Sequence, residues 1–160
     1  MRRAPAAEAL TDLILEVFRV NGDLLAEGNR LTRPFGQSSA RWQILGALRN
    51  HPHTVAGIAR DMGLARQSVQ RTADLLAAEG LVAYTHNPAH RRSKLVRLTP
   101  LGLEILALIS GRQVAWTNEL AEAMGLGEKK LRAALEVLRQ LRVELERPRR
   151  DQGDQEEAMP

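Results

Sequence analysis

Cysteine is absent from the 160 residues. Disulfides, thiolate metal sites and thiol-based redox sensing are thereby excluded. Aromatics make up only 3% of the chain, as two Trp, two Phe and one Tyr. The core must be built from Leu, Ala, Val and Ile within a 44% hydrophobic fraction, which suits packed helices. No stretch approaches the roughly 18 unbroken apolar residues of a membrane-spanning helix. The basic start, MRRAPAAEAL, holds no apolar run of signal-peptide length. A cytoplasmic chain with no membrane partner is expected. Groupings for catalysis are also lacking. No Ser/His/Asp arrangement, His-Glu-x-x-His motif or paired buried acids stand out, and the Gly125–Lys130 stretch lacks the spacing and the Ser/Thr of a phosphate loop. His51-x-His53 has no third ligand at metal-binding spacing. No enzyme, metal or cofactor is expected.

The charge that is present is unevenly spread. The formal net charge is +4, and residues 51–100 alone hold seven Lys or Arg against three Asp or Glu. The flanking stretches are close to neutral, with seven against five before this block and six against seven in residues 101–146. A basic block between near-neutral flanks is the footprint of a polyanion binder.

That block contains the most informative stretch, Thr54–Leu98. Thr54 is a good N-cap for a helix over Val55–Met62, and Gly63 suits the sharp turn that follows. A second helix is predicted over Arg66–Glu79, ended by Gly80. Ile58, Ala59 and Met62 share one face of the first, and Val69, Thr72, Ala73 and Leu76 one face of the second. Two short helices packed across a tight turn form a helix-turn-helix. The outer face of the second helix carries Arg66, Gln67, Ser68, Gln70 and Arg71, with no acid among them. Such a face is either ordinary solvated surface or a base-reading surface, since Arg pairs with guanine and Gln with adenine in the major groove. Leu81–His86 and Lys94–Leu98 alternate apolar and polar residues and read as a hairpin. Its loop, Asn87–Ser93, holds His90, Arg91 and Arg92, and Lys94 follows. Arginines at the tip of a two-stranded ribbon suit the negative potential of a minor groove. Helix-turn-helix plus basic hairpin makes a winged helix.

The runs GLARQSVQRTADLLAAEGLV and NPAHRRSKLVRLTPLG resemble the multiple-antibiotic-resistance regulator (MarR) family, and the order of elements matches over about Leu10–Leu145. The resemblance implies that Gln67, Ser68, Gln70 and Arg71 lie on the base-reading helix and that Arg92 is the wing arginine entering the minor groove. The family often places an aspartate two residues before that arginine to orient it. Here the position is His90, so orientation is left to Asn87 or to the backbone. Family members often bind small aromatic compounds near the junction of dimer helices and DNA module, with loss of DNA affinity.

Outside this block, Leu10, Leu13, Ile14, Val17, Phe18, Leu24 and Leu25 recur at helical spacing in a first helix, Ala4–Glu27, for which Gly28 is a plausible stop. A loop over Asn29–Gln37 and a helix over Ala40–Asn50 follow, with Ser38 or Ser39 as cap and Arg41 facing outward. Arg41 and Thr54 are candidate phosphate contacts. Thr99-Pro100 opens a long helix to Met124, and Glu128–Glu146 carries Leu131, Leu135, Leu138 and Leu145 at near-heptad spacing. Trp42 and Trp116, the two largest rings, are core fillers or the lining of an effector pocket.

The expected fold is mainly α with a small two-stranded β wing, a winged helix-turn-helix with N- and C-terminal dimerisation helices. The expected divisions are residues 1–37 and 100–147 for dimerisation, 38–99 for DNA binding and 148–160 as a disordered tail. The expected function is a sequence-specific transcriptional regulator, a repressor, acting as a homodimer on an inverted-repeat operator in double-stranded DNA and released by a small aromatic ligand. Two rivals are a nonspecific architectural DNA-binding protein, against which the scarcity of lysine argues (three residues), and a winged helix used for protein–protein contact.

Overall fold

Ser38, Thr54 and Thr99 each precede a helix. Their hydroxyls accept the backbone N–H groups of Arg41, Gly57 and Gly102 at 3.3, 3.0 and 3.1 Å, satisfying amides that the first helical turn cannot. These caps set three helix starts in the computed structural model, which describes residues 4–90 and 92–147. The elements are α1 (Pro5–Thr32), a 3₁₀ turn (Arg33–Phe35), α2 (Ser39–Ala47), β1 (His53–Thr54), α3 (Val55–Met62), α4 (Arg66–Ala78), β2 (Val82–Thr85), β3 (Leu95–Leu98), α5 (Pro100–Met124) and α6 (Glu128–Glu146). The expected mainly α winged helix-turn-helix is what forms. The tail over 148–160 lies outside the described residues.

One local expectation is corrected and one is extended. Gly28 does not stop α1, which runs on to Thr32. A Cβ on Gly28 would sit 2.7 Å from the Ser39 hydroxyl oxygen, so this glycine serves the crossing of α1 and α2. Asn29 Oδ1 accepts the Ser39 N–H there at 2.8 Å, and the buried Thr32 hydroxyl donates to the Gly28 carbonyl. The two-stranded β2–β3 wing hairpin is joined at its base by a short third strand. The sheet is antiparallel in the order β1-β3-β2, with His53 opposite Val96 and Tyr84 opposite Val96 on the other side. A two-residue strand is too short to show alternation, which is why β1 has no signature in the sequence.

Packing divides the chain after Trp116. In the first unit, Ile44 and Leu45 of α2, Ile58 of α3, Val69, Ala73 and Leu76 of α4, and Val96 of β3 form one buried core, joined by Leu106 of α5. Met62, expected inside, is 38% exposed. In α1 nothing before Gly28 is buried, and Phe18 is 71% exposed. In the second unit α6 buries nothing, and Leu131, Leu135, Leu138 and Leu145 are all exposed. Among the described residues no helix is long and apolar enough to cross a membrane.

Candidate nucleic-acid interface

Burial of Val69, Ala73 and Leu76 fixes the rotation of α4, so its opposite face is set by the core rather than by chance. Arg66, Gln67, Ser68, Gln70 and Arg71 are all exposed on it. Ala65 supplies no side-chain cap and the first turn holds no acid. The leading amides of α4, at the positive end of its dipole, are therefore left without a side-chain acceptor, which favours an external anion.

The wing completes a surface with this helix. A single cavity of about 320 Å³ is lined by Arg66, Gln70 and Asp74 of α4, Tyr84 of β2, and Arg92, Ser93 and Lys94 of the wing, with Val55 and Ala56 of α3 at its side. Residues some 25 positions apart in the chain thus share one cleft, and three of its lining groups are cationic. Arg92, Lys94 and His90 are exposed. Arg91 lies outside the described residues.

Inside the cleft is a closed polar network. Gln70 Nε2 donates to Asp74 Oδ1 and to Tyr84 Oη, both at 2.9 Å, and Tyr84 Oη donates to the same Asp74 oxygen at 2.6 Å. Burial, and then the hydrogen bond to the Asp74 carboxylate, push the Tyr84 hydroxyl up to about 12 from an ordinary 10.0. The raised value means that the protonated form contributes stability below pH 10, lost as pH climbs through about 12. Tyr84 is the sole tyrosine, so an alkaline absorbance titration reports it alone. The midpoint is expected near 12. In Asp74→Ala it should fall, yet stay above 10.0 because burial, the larger cause, remains. A wild-type midpoint at 10 would show that the network does not form.

A model described as the MarR family matches residues 35–93. An uncharacterized protein of Mycobacterium bovis is 36% identical over 144 residues, covering 89% of this chain and 99% of its own length. The chain belongs to the MarR family. Structures of other MarR-type regulators superpose on it. The transcriptional regulator BldR from Sulfolobus solfataricus aligns with a TM-score of 0.71 and 23% identity, covering 88% of this chain and 99% of that one. CouR from Rhodococcus jostii, solved with p-coumaroyl-CoA bound, aligns at a TM-score of 0.71 with 25% identity, covering 81% and 91%. The matched span holds the helix-turn-helix and the first part of the wing, so every cleft residue but Lys94 comes from the segment that carries the MarR signature, and transcriptional regulation is the activity of this family.

Within this MarR frame the other candidate residues fall differently. Arg41 is not a free outward cation. Its guanidinium forks onto both oxygens of Glu79 at 2.7 and 2.6 Å, tying the start of α2 to the end of α4. This candidate phosphate contact is thus held in an intramolecular ion pair. The Thr54 hydroxyl accepts from Gly57, and a hydroxyl that accepts there still has its own proton to donate. Among the described residues, His90 takes no side-chain part in the turn at the wing tip. Buried Asn87 does, accepting the Ala89 N–H at 3.0 Å, while the His90 N–H reaches the Asn87 carbonyl at 3.3 Å. Trp42 is half-buried against the core, and Trp116 is half-buried on α5. His53, set aside as a metal ligand, bonds Asp61 at 2.8 Å and holds that carboxyl below its ordinary range.

Asp74 and Tyr84 are the site residues that sequence reasoning missed. Asp74 sits four positions after Gln70 on the helix, a spacing at which side chains meet, so half of the network was open to inference. Tyr84 read only as an alternating strand residue.

Proposed function

We propose that the chain is a homodimeric repressor that binds an inverted-repeat operator in double-stranded DNA and releases it when a small aromatic effector binds. The observation that carries the reading is the shared cleft. One face of α4 offers side chains that read base edges, and the adjoining wing offers Arg92 and Lys94 beside it. Gln67, Ser68, Gln70 and Arg71 read bases. Arg92 and Lys94, with Arg91, supply charge to the backbone and minor groove.

The bare apolar stripes support the dimer. α1 exposes Leu10, Phe18 and Leu24, and α6 exposes Leu131, Leu135 and Leu138. Faces of this kind on a regulator call for a second copy of the chain. An aromatic effector is supported by CouR, whose structure contains p-coumaroyl-CoA, and Trp42 and Trp116 remain the candidate lining. Neither an enzymatic activity nor a membrane enters this reading, and the protein works in the cytoplasm.

Footprinting on the DNA flanking its own gene, with sedimentation of the complex, tests the proposal. The expected result is a protected inverted repeat whose half-sites lie about one helical turn, roughly 34–36 Å, apart. The protein should sediment at twice the chain mass. A single protected half-site with a monomer defeats the dimer. Equal protection of all DNA favours the architectural rival, and no binding to any duplex at low salt favours the protein-contact rival.

A further inference from the structure

We propose that Tyr84 and Asp74 are positioning residues, whose side-chain hydrogen bond clasps the wing to α4 and fixes the separation at which the protein holds its two DNA contacts. The proposal rests on the DNA-reading roles of α4 and the wing given above and adds the device that sets one against the other.

α4 and β2 are consecutive, joined by a turn through Gly80 and Leu81, so the chain itself ties their near ends. The parts that would meet DNA are the far ends, the first turns of α4 and the tip of the hairpin. The buried core holds helix and sheet together, but apolar burial is non-directional and sets no angle. The directional link is Tyr84. It is the third residue of β2, one before the strand ends and the chain leaves for the tip. Its Oη donates to Asp74 Oδ1 at 2.6 Å, a short bond of the charge-assisted class. A carboxylate only accepts, so the phenol must be the donor. Gln70 Nε2 stands 2.9 Å from each of these oxygens. Among the described residues, only these bonds to Tyr84 join side chains of α4 to the sheet. The phenol is pushed up to about 12, so it keeps the proton that the clasp needs throughout the neutral range.

Tyr84 and Asp74 line the cleft that they share with Arg66 of α4 and with Arg92 and Lys94 of the wing. The clasp is thus made within the surface that would meet DNA rather than in the core behind it. A fixed separation turns DNA spacing into a determinant of specificity. One base pair inserted between the bases read by α4 and the flank gripped by the wing moves that flank by about 3.4 Å. A clasped wing misses it, and an unclasped wing follows.

The test uses the full chain, its footprinted operator, and two operators with one base pair inserted or removed between those segments in each half-site. Loss of preference in Gln70→Ala marks the α4 segment, and loss of hydroxyl-radical protection in Arg92→Ala marks the wing segment. Affinities are read by fluorescence anisotropy. The wild-type protein is expected to bind the altered spacings about tenfold more weakly than the natural one. Tyr84→Phe keeps the ring and loses the clasp. It should bind the natural operator about fivefold more weakly, and the altered ones within about twofold of that. Asp74→Ala, at an exposed position, should behave alike and carries the test if Tyr84→Phe fails to fold. Asp74→Asn keeps an acceptor oxygen and should keep the wild-type spacing ratio, although loss of its charge raises affinity for every duplex. A merely structural role would lower stability and leave that ratio untouched. An unchanged ratio in Tyr84→Phe and Asp74→Ala overturns the clasp, as does a wild-type protein indifferent to spacing whose affinity still falls in Arg92→Ala. If Arg92→Ala leaves protection and affinity unchanged, the DNA role of the wing is overturned instead, a result reached without any clasp variant.

Discussion

Gly102→Ala should lower the stability of the protein by about 2–3 kcal/mol, the upper range for forcing a methyl into a packed site. A Cβ at this position would stand 2.0 Å from the Leu81 carbonyl oxygen. That atom belongs to the backbone and cannot swing aside as a side chain would. It also accepts from the Thr99 N–H and hydroxyl, both at 3.1 Å. The same hydroxyl caps α5 through the Gly102 N–H. One methyl group therefore pries apart the start of α5, the entry to β2 and the exit of β3. For a chain of this size the loss corresponds to a melting temperature about 5–10 °C lower. DNA affinity should fall with it, because β2 and β3 carry the wing. Calorimetry showing an unchanged melting temperature would mean that the close approach is not present in solution.

Arg92→Ala should weaken binding about tenfold on every duplex, specific or random, and reduce the slope of log affinity against log salt by about one. The side chain is exposed and lines the cleft opposite α4. Its contribution comes from released counterions, which carry no sequence information. The effect should thus be uniform, whereas changes at Gln70 alter preference. Titrations at several salt concentrations on operator and random DNA separate the two. An unchanged slope would remove Arg92 from the interface.

Local rules accounted for much of this molecule. The starts at Thr54 and Thr99 were legible because capping residues act over three positions. The limits of α3, α5 and α6 match those read from periodicity and breakers. Gly28 shows the limit of such reading. A glycine that ends a helix and one that admits a neighbouring helix look alike until the neighbour is in place. The ion pair of Arg41 escapes such reading for the same kind of reason. Its outward position on α2 was readable, but its partner Glu79 is 38 residues away and announces itself by no spacing rule.

By itself, then, the amino-acid order determined the family, the winged helix-turn-helix and the polar face of α4, because each depends on spacings of a few residues that helices and strands convert directly into faces. Only the tertiary structure decided which of those exposed groups remain available. Tyr84 comes back onto Gln70 across 14 residues, and Glu79 claims Arg41, because hydrogen-bond partners are chosen by proximity in space after the core of Ile58, Leu76 and Val96 has closed. The pattern of residues thus named the tools of recognition, and the packing settled which atoms they hold out.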